Sequence, residues 1–219
     1  MVMRLLRRLH VWLAWIVGVP ILFWTASGLW MVARPIEEVR GAHLRSEPAP
    51  FSAGPLVPPA GALRSLSLEA QDGRLVWLAT ASDGRSFRAD AATGRVLPPV
   101  NETEARRIAA AALARPPAIV GATRTPSDAP PVDLRRPRPA WGVEFADRAR
   151  VYVDADTGQV LALRTAQWRL FDWMWGLHIM DLGAREDTSH PVLIAAAALA
   201  LAVTLLGLVL LPFSGRRRR

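Results

Sequence analysis

Two long apolar segments constrain this chain more strongly than any other feature of its sequence. The first runs from Val11 to Val32 and the second from Pro191 to Phe213, and neither contains a charged residue. Because about 20 helical residues cross the hydrocarbon layer of a membrane, we expect two membrane-spanning helices. A cleaved signal peptide is the alternative for the first segment, since residues 26–28 are small, but the apolar stretch is longer than the core of a signal peptide.

The placement of arginine predicts how the chain crosses the membrane. Its 27 basic residues are all arginines; three of them precede the first apolar segment, and residues 216–219 follow the second. Because positively charged flanks remain on the cytoplasmic side, we expect a bacterial inner-membrane protein with both termini in the cytoplasm and residues 34–189 in the periplasm. The rest of the chain carries 20 arginines against 19 acidic residues, which leaves no basic face for nucleic acid.

The composition and the motifs exclude several kinds of chemistry. The chain contains no cysteine, so a disulfide framework, a thiolate metal site and a cysteine nucleophile are ruled out. It also lacks the Gly-x-Ser-x-Gly, His-Glu-x-x-His and glycine-rich phosphate-loop patterns. We therefore predict no catalytic residue and no metal-ion site, and we do not expect the chain to be an enzyme on its own.

The periplasmic segment contains two matching stretches at an offset of 64 residues. Residues 90–97 read DAATGRVL, residues 154–161 read DADTGQVL, and Trp77 aligns with Trp141. In each stretch the aspartate caps a turn through its side chain and the glycine adopts the positive φ that closes the turn, which predicts a β-hairpin. A calcium ligand is the alternative role for the aspartate.

The elements around these turns indicate an α+β domain of two repeats, each a helix plus an antiparallel hairpin. Asn101 is a suitable N-cap, with Glu104 at the capping-box position, for a helix that ends at Ala114. The matching helix of the first repeat is expected within residues 61–70, and the proline-rich residues 126–139 are expected to form a loop. We therefore divide the chain into a basic cytoplasmic tail 1–10, transmembrane helix 11–33, linker 34–60, degenerate first repeat 61–100, second repeat 101–167, interfacial aromatic helix 168–183, second transmembrane helix 190–213 and cytoplasmic arginine tail 214–219.

Four stretches of the sequence are typical of a known family. They are the helix 104–114 with the strand of Trp141, the turn 153–160, the aromatic block 171–181, and the Leu-His-x-Trp pattern of residues 9–12. Together they resemble the small PepSY-domain proteins with PepSY-associated transmembrane helices. Larger relatives with more helices are implicated in ferric-siderophore reduction through haem, and soluble PepSY domains occur in propeptides of thermolysin-like peptidases. The resemblance therefore implies either haem-linked electron transfer or a peptide-binding, inhibitory role.

Histidines at the ends of the predicted membrane helices are the candidate haem ligands. His10 lies at the inner mouth of the first helix, His190 lies at the outer mouth of the second, and His178 lies on the aromatic helix before it. A helix of about 22 residues separates the two mouths by roughly 33 Å, so His10 and His190 cannot share one haem in a monomer. The hypothesis is haem b held by His178 and His190, with a homodimer pairing two copies of His10. Histidines of an interfacial belt are the alternative.

Four further side chains are expected close to these histidines. Phe171, Trp175 and His178 fall on one stripe of the aromatic helix, so the two aromatic rings would pack against a bound macrocycle. Asp181 and Arg185 follow that helix, and a carboxylate there would orient an imidazole through a hydrogen bond.

Three functions remain open on the sequence alone. The first is a haem-linked electron-transfer subunit in the reduction of ferric iron or siderophores. The second is a membrane-tethered sensor or peptidase inhibitor that binds a peptide or a peptidase by strand addition. The third is a scaffold subunit of a membrane complex. The expected partners are the lipid bilayer, a second copy or a larger membrane protein, and a peptide or peptidase.

Overall fold

A computed structural model provides the structure of the protein and describes residues 2–47 and 54–213. The chain divides into two compact units. The membrane unit comprises the described residues up to Pro35 and from Leu170 onward, and the sheet unit comprises those from Ile36 to Arg169. In chain order the elements are α1 Val2–Val32, α2 Ile36–Val39, a 3₁₀ turn Ala42–Leu44, β1 Leu63–Gln71, β2 Arg74–Ala81, β3 Ser86–Asp90, α3 Glu102–Ala111, β4 Ile119–Thr125, β5 Ala140–Phe145, β6 Arg150–Asp154, β7 Val160–Arg164, α4 Ala166–His178, α5 Pro191–Leu210 and a 3₁₀ turn Leu211–Phe213.

Helices α1 and α5 are both long and apolar enough to cross a membrane, as the sequence predicts. Helix α1 begins at Val2, so the basic segment expected to form a tail is helical in residues 2–10. Helix α5 begins with Pro191 at its first position, where the missing N–H of proline costs no hydrogen bond. The predicted arginine tail 214–219 lies outside the described residues.

The sheet unit contains two antiparallel sheets, which confirms the α+β class. The first sheet has the order β1-β2-β3 and the second has the order β4-β5-β6-β7. Trp77 of β2 pairs with Ala89 of β3, and Trp141 of β5 pairs with Val153 of β6. Each tryptophan therefore occupies the same place relative to the turn that follows it.

The two predicted turns share their hydrogen bonds. Asp90 Oδ1 accepts the backbone N–H of Thr93 at 2.9 Å, and Asp154 Oδ1 accepts that of Thr157 at 2.8 Å. The glycine after each threonine has a φ of 70° in the first turn and 73° in the second, and its N–H donates to the aspartate carbonyl at 2.9 Å in both. The aspartates therefore cap the turns, as residues 90–97 and 154–161 predict.

The segment predicted to form the first repeat differs from its prediction. Residues 61–70 were expected to contain a short helix, but they lie in β1, which pairs with β2 from Leu63 to Gln71. That part of the prediction is wrong because backbone pairing along nine residues outweighs the weak helical preference of the segment. Residues 95–97 form only an isolated bridge, Ala89 with Val96, rather than an outgoing strand.

Helix α3 covers the second sheet and forms the core of the sheet unit. The side chain of Asn101 accepts the N–H of Glu104 at 2.9 Å, as an N-cap does. Ala105, Ile108 and Ala109 are buried in one cluster with the inward residues of β5 and β6. The helix ends at Ala111 rather than Ala114, and residues 126–139 form a loop without helix or strand.

Two further boundaries differ from the sequence prediction. Helix α4 covers Ala166–His178, whereas residues 168–183 were expected. It stops there because Met180 adopts a positive φ of 58°, which a helix cannot continue through. Within the predicted linker 34–60, residues 36–39 are helical, residues 54–60 are irregular, and residues 48–53 lie outside the described part of the chain.

Candidate functional site

The ring of His178 packs against α1 inside the membrane unit. Its Nδ1 atom lies 3.0 Å from the carbonyl oxygen of Trp24 and 3.2 Å from Ser27 Oγ. Its ring stacks on the Trp24 indole with a centroid distance of 4.9 Å and an interplanar angle of 15°. Because a carbonyl oxygen only accepts hydrogen bonds, the proton of neutral His178 is assigned to Nδ1. The lone pair of the neutral ring is then on Nε2, the atom available to a ligand.

Gly28 provides the space for this ring. A Cβ atom on Gly28 would lie 2.9 Å from His178 Cε1 and 3.3 Å from Nδ1. Real Cβ contacts are longer than the first of these distances, so a side chain at residue 28 would displace the imidazole. Ser27 and Gly28, the small residues at this position, therefore contact α4 through the His178 ring.

His10 has a similar neighbour at the opposite end of α1. A Cβ atom on Gly207 of α5 would lie 2.9 Å from His10 Cε1, so this imidazole lies directly against the α5 backbone. The Nδ1 atom of His10 is buried and has no hydrogen-bond partner among the described residues. A buried polar atom without a partner costs about 1–3 kcal/mol, which makes this atom a candidate ligand atom.

His190 occupies the N-cap position of α5. Its side chain makes no capping hydrogen bond, and its Nδ1 atom is also buried without a partner among the described residues. Within the described part of the chain, no hydrogen bond or ring contact is found between His190 and His178. The same residues hold no group of three or more histidines and acids close enough to bind a metal ion.

The distance between His10 and the His178 contact along α1 decides whether one ligand can bind to both histidines. His178 contacts residues 24–28, and His10 lies seventeen positions before Ser27. At about 1.5 Å per residue the two ends are about 26 Å apart, so one haem cannot be ligated by both His10 and His178 of the same chain.

The residues predicted to lie close to the histidines belong to α4 and to the loop after it. Arg185 Nη1 donates to Asp172 Oδ2 at 2.9 Å, and Trp175 Nε1 donates to the Arg185 carbonyl at 3.2 Å. Phe171 packs against Trp30 of α1 with a centroid distance of 6.2 Å. These three predicted side chains therefore fix α4 and its loop rather than contact the His178 ring in the described interactions.

Asp181 organises the loop that leads to His190. Its carboxylate accepts four backbone N–H groups, those of Gly183, Ala184, Glu186 and Asp187, at 3.1 or 3.2 Å. Desolvation would by itself raise the pKa of Asp181, but the backbone donors outweigh it and hold the pKa below its ordinary value. The ionised carboxylate thus stabilises the loop and makes no contact with an imidazole in the described interactions.

An apolar cavity lies between α1 and α5. Its volume is about 300 Å³, and its lining includes Pro20 and Trp24 from α1 and Ala196, Ala197 and Ala200 from α5. This volume is at the lower end of the range of small-molecule sites. Trp24 belongs both to this cavity and to the His178 contact, so a group bound in the cavity would lie next to the stacked ring pair.

The comparison with known proteins identifies the class of the chain. A family model described as the PepSY-associated TM region matches residues 7–219. The chain therefore belongs to the PepSY-associated TM family, and it is a membrane PepSY protein. No curated protein and no solved structure gives a significant match to it.

Sequence reasoning singled out the histidines as candidates but did not predict the residues that contact them. Trp24, Ser27, Gly28 and Gly207 were not predicted as site residues. Three of the four are small residues within apolar segments, and such residues are common there, so their sequence signal is weak. Small residues in membrane helices often permit close helix contact, so Gly28 and Gly207 could have been matched to the histidines at similar depth.

Proposed function

We propose that this chain is a haem b-binding electron-transfer subunit of a bacterial inner membrane that serves the reduction of ferric iron or siderophores in the periplasm. The observation that carries this proposal is the hydrogen bond between His178 Nδ1 and the Trp24 carbonyl. Histidines that bind metals usually donate their second ring N–H to a carbonyl or carboxylate, which fixes the tautomer and the ring orientation. His178 has this arrangement before any ligand is added.

The residues present fit an imidazole that would bind a haem iron. Trp24 and Ser27 hold the His178 ring, Gly28 leaves room for it, and Nε2 carries the lone pair. The buried Nδ1 of His190, which has no hydrogen-bond partner among the described residues, is a second candidate ligand atom at the same predicted depth. When bound, haem supplies a one-electron couple of its iron. The protein's part is to fix the ring of His178 and to keep the site in apolar surroundings.

Transfer across the membrane requires a second site near the inner surface. His10 lies about 26 Å from the His178 contact along α1, and its Nδ1 has no partner among the described residues. Two parallel copies would place their His10 side chains at equal depth. We therefore propose a homodimer, or a larger membrane partner that supplies the inner ligand, as the functional assembly.

Absorption spectroscopy of the purified full-length protein tests this function. After haem-replete expression we expect a Soret band that shifts on dithionite reduction, with resolved α and β bands. The His178→Ala variant should lose most of this absorbance, whereas His43→Ala should retain it because His43 is an exposed residue of the sheet unit. A colourless wild-type protein, or equal spectra for the two variants, would refute the hypothesis that His178 binds haem.

The edge of the first sheet favours a second candidate function. Strand β1 pairs with β2 along one edge, and Leu66 and Leu68 on it are 38% and 36% exposed. An exposed strand edge can accept an extended peptide by strand addition. The protein would then act as a membrane-tethered peptide sensor or peptidase inhibitor without any need for haem.

Inhibition of a thermolysin-like peptidase by the purified protein tests the second candidate. Inhibition should survive His178→Ala and disappear in Leu66→Lys, which places a charge on the β1 edge. Val120→Lys on the exposed edge strand β4 is the matched control, because Val120 is 63% exposed. An absence of inhibition by the wild type, together with co-purification of a larger complex and no haem, would instead favour the scaffold function.

A further inference from the structure

One face of the first sheet consists of apolar side chains. Residues directly opposite each other in an antiparallel sheet lie on the same face, and the register therefore places six apolar residues together: Leu66 and Leu68 of β1, Trp77 and Ala79 of β2, and Phe87 and Ala89 of β3. We call this set the Trp77 face. Leu66 and Leu68 are 38% and 36% exposed, and Trp77 and Phe87 are partly buried, so the described residues leave this face incompletely covered.

The corresponding face of the second sheet is covered by a helix. Four residues of the Trp77 face match residues of the second sheet at the offset of 64, and their counterparts are Trp141, Val143, Val151 and Val153. The register pairs these counterparts with one another as it pairs the matching residues of the first sheet. All four pack in one cluster with the apolar side of α3. Helix α3 is therefore the layer that buries this face.

The segments that lead to the two faces make the same hydrogen bonds. Trp77 Nε1 donates to the Val57 carbonyl at 2.8 Å. Trp141 Nε1 donates to the Val100 carbonyl at the same distance of 2.8 Å. The N–H groups of Val57 and Val100 each donate to the carbonyl of the residue after the turn aspartate, at 2.9 and 2.7 Å. Val57 thus holds the place on the first sheet that Val100 holds on the second.

Only the second of these segments continues into a helix. Asn101, the residue after Val100, is the N-cap of α3, which has ten residues. After Val57, residues 58–62 contain no helix and lead directly into β1. The chain after Val57 therefore does not fill the position on the first sheet that α3 fills on the second.

The opposite face of the first sheet is already packed within the sheet unit. Arg88 lies between two residues of the Trp77 face along β3, so its side chain is on the other face, where it pairs with Glu104 of α3 at 2.6 Å. On that same face Gln71 Nε2 donates to the Thr157 carbonyl at 2.9 Å. The Trp77 face therefore points away from α3 and from the second turn.

We propose that the Trp77 face binds an amphipathic helix of another polypeptide, in the position that α3 takes on the second sheet. The pattern of the partner follows from α3, whose buried Ala105, Ile108 and Ala109 fall at i, i+3 and i+4. Such a helix contacts side chains on the face of the sheet, whereas strand addition pairs with the backbone at the β1 edge. This site is therefore separate from the edge of β1, and its occupation does not require haem.

Titration of the full-length protein in lipid nanodiscs with a helical peptide tests the proposal. The probe is a fluorescent peptide with the sequence of residues 101–114, stapled between positions 107 and 111, which are exposed in α3, because a free helix of this length is marginal in water. We expect saturable binding that empty nanodiscs do not show. Leu68→Glu should raise the dissociation constant by about tenfold or more, since a charge replaces an apolar contact.

Ser67→Glu is the matched control for this variant. It introduces the same charge on the same strand, but on the opposite face, because Ser67 pairs with Leu78. Substitutions at an exposed position outside a binding site have small effects, so the dissociation constant should change by less than about twofold. Equal losses of affinity for the two variants, or no saturable binding by the wild type, would overturn the proposal.

Photo-crosslinking locates the bound peptide and keeps the proposal testable if Leu68→Glu misfolds. Benzoylphenylalanine in place of Leu66 should label the peptide, whereas benzoylphenylalanine in place of Ser65, on the opposite face, should not. Equal labelling from the two positions would contradict helix binding on the Trp77 face. Dimerisation of the protein that Leu68→Glu abolishes, without any peptide binding, would overturn the proposal in favour of a second copy on this face.

Discussion

The buried ion pair between Glu104 and Arg88 predicts a large and specific loss of stability. Arg88 is only 1% exposed, and its Nη1 and Nη2 donate to the two carboxylate oxygens of Glu104 at 2.8 and 2.6 Å. Arg74 also donates to Glu104 at 2.8 Å but is 45% exposed. Glu104→Gln would therefore leave the charge of Arg88 buried without its compensating carboxylate.

The size of the stability loss depends on which partner of the ion pair remains in the variant. Removing one member of a buried ion pair costs about 3–5 kcal/mol, because the remaining charge is desolvated without compensation. The Pro98 carbonyl accepts from Arg88 at 3.1 Å and offsets part of this cost. For a unit of this size we expect the unfolding temperature to fall by about 10 °C. Glu102→Gln on the same helix breaks only the exposed pair with Arg106 and should cost about 0.5 kcal/mol or less.

The same contact predicts how stability depends on pH. The hydrogen bonds of Arg88, with its charge, hold the pKa of Glu104 below its ordinary value of 4.5, and burial opposes them. A carboxylate with a lowered folded-state pKa contributes its stability above the unfolded-state pKa and loses it as the pH falls through the folded-state pKa. The wild type should therefore lose stability below about pH 4.5 more steeply than Glu104→Gln does.

Thermal unfolding of full-length variants in detergent, followed by limited proteolysis of the sheet unit, measures these effects. The proteolysis step separates unfolding of the sheets from that of the membrane helices. Equal unfolding temperatures for Glu104→Gln and Glu102→Gln would refute the reasoning, because only the first substitution leaves a buried arginine without its carboxylate. Parallel acid-unfolding curves for wild type and Glu104→Gln would refute the pH argument.

Three further predictions concern single contacts. Gly158→Ala should lower the free energy of unfolding by about 1–2 kcal/mol in urea titrations. The left-handed φ of 73° is costly for alanine, and the alanine Cβ would lie 2.6 Å from Gln71 Oε1. An unchanged unfolding midpoint would contradict this prediction. Trp141→Phe should cost about 1 kcal/mol or more in the same titration by removing the donor to the Val100 carbonyl at 2.8 Å, and a neutral effect would show that water replaces it. Asp181→Asn should increase amide hydrogen exchange in residues 183–187, since the neutral amide accepts more weakly from the backbone donors; exchange equal to that of the wild type would exclude this role.

The turns and the start of α3 were predictable because each rests on local chemistry. Asp90 and Asp154 cap their turns through neighbouring N–H groups, and Asn101 caps α3 in the same way. Such contacts span only a few residues, so the sequence specifies them directly. The reciprocal half of the capping box was not formed in the described contacts, because the Glu104 side chain pairs with Arg88 of the first sheet, and no local pattern reveals that partner.

Strand β1 carried local signals that the helix prediction overlooked: residues 65–71 alternate polar and apolar, with Leu66, Leu68 and Ala70 on one face, and Asp72-Gly73 forms a hairpin turn to β2. The surroundings of His178 were not predictable, because they depend on distant residues. The contact of His178 with Gly28 joins residues 150 positions apart. Only the crossing of α4 over α1, a property of the folded chain, brings them together.

His10 and His178 each pack against a glycine, and these contacts restrict how the membrane helices can move along one another. His10 of α1 fits against Gly207 of α5, and His178 of α4 fits against Gly28 of α1. A slide of one helix along another by a single residue, about 1.5 Å, would move each ring away from the glycine that leaves room for it. The two glycine contacts therefore oppose relative sliding of the helices at both ends of α1.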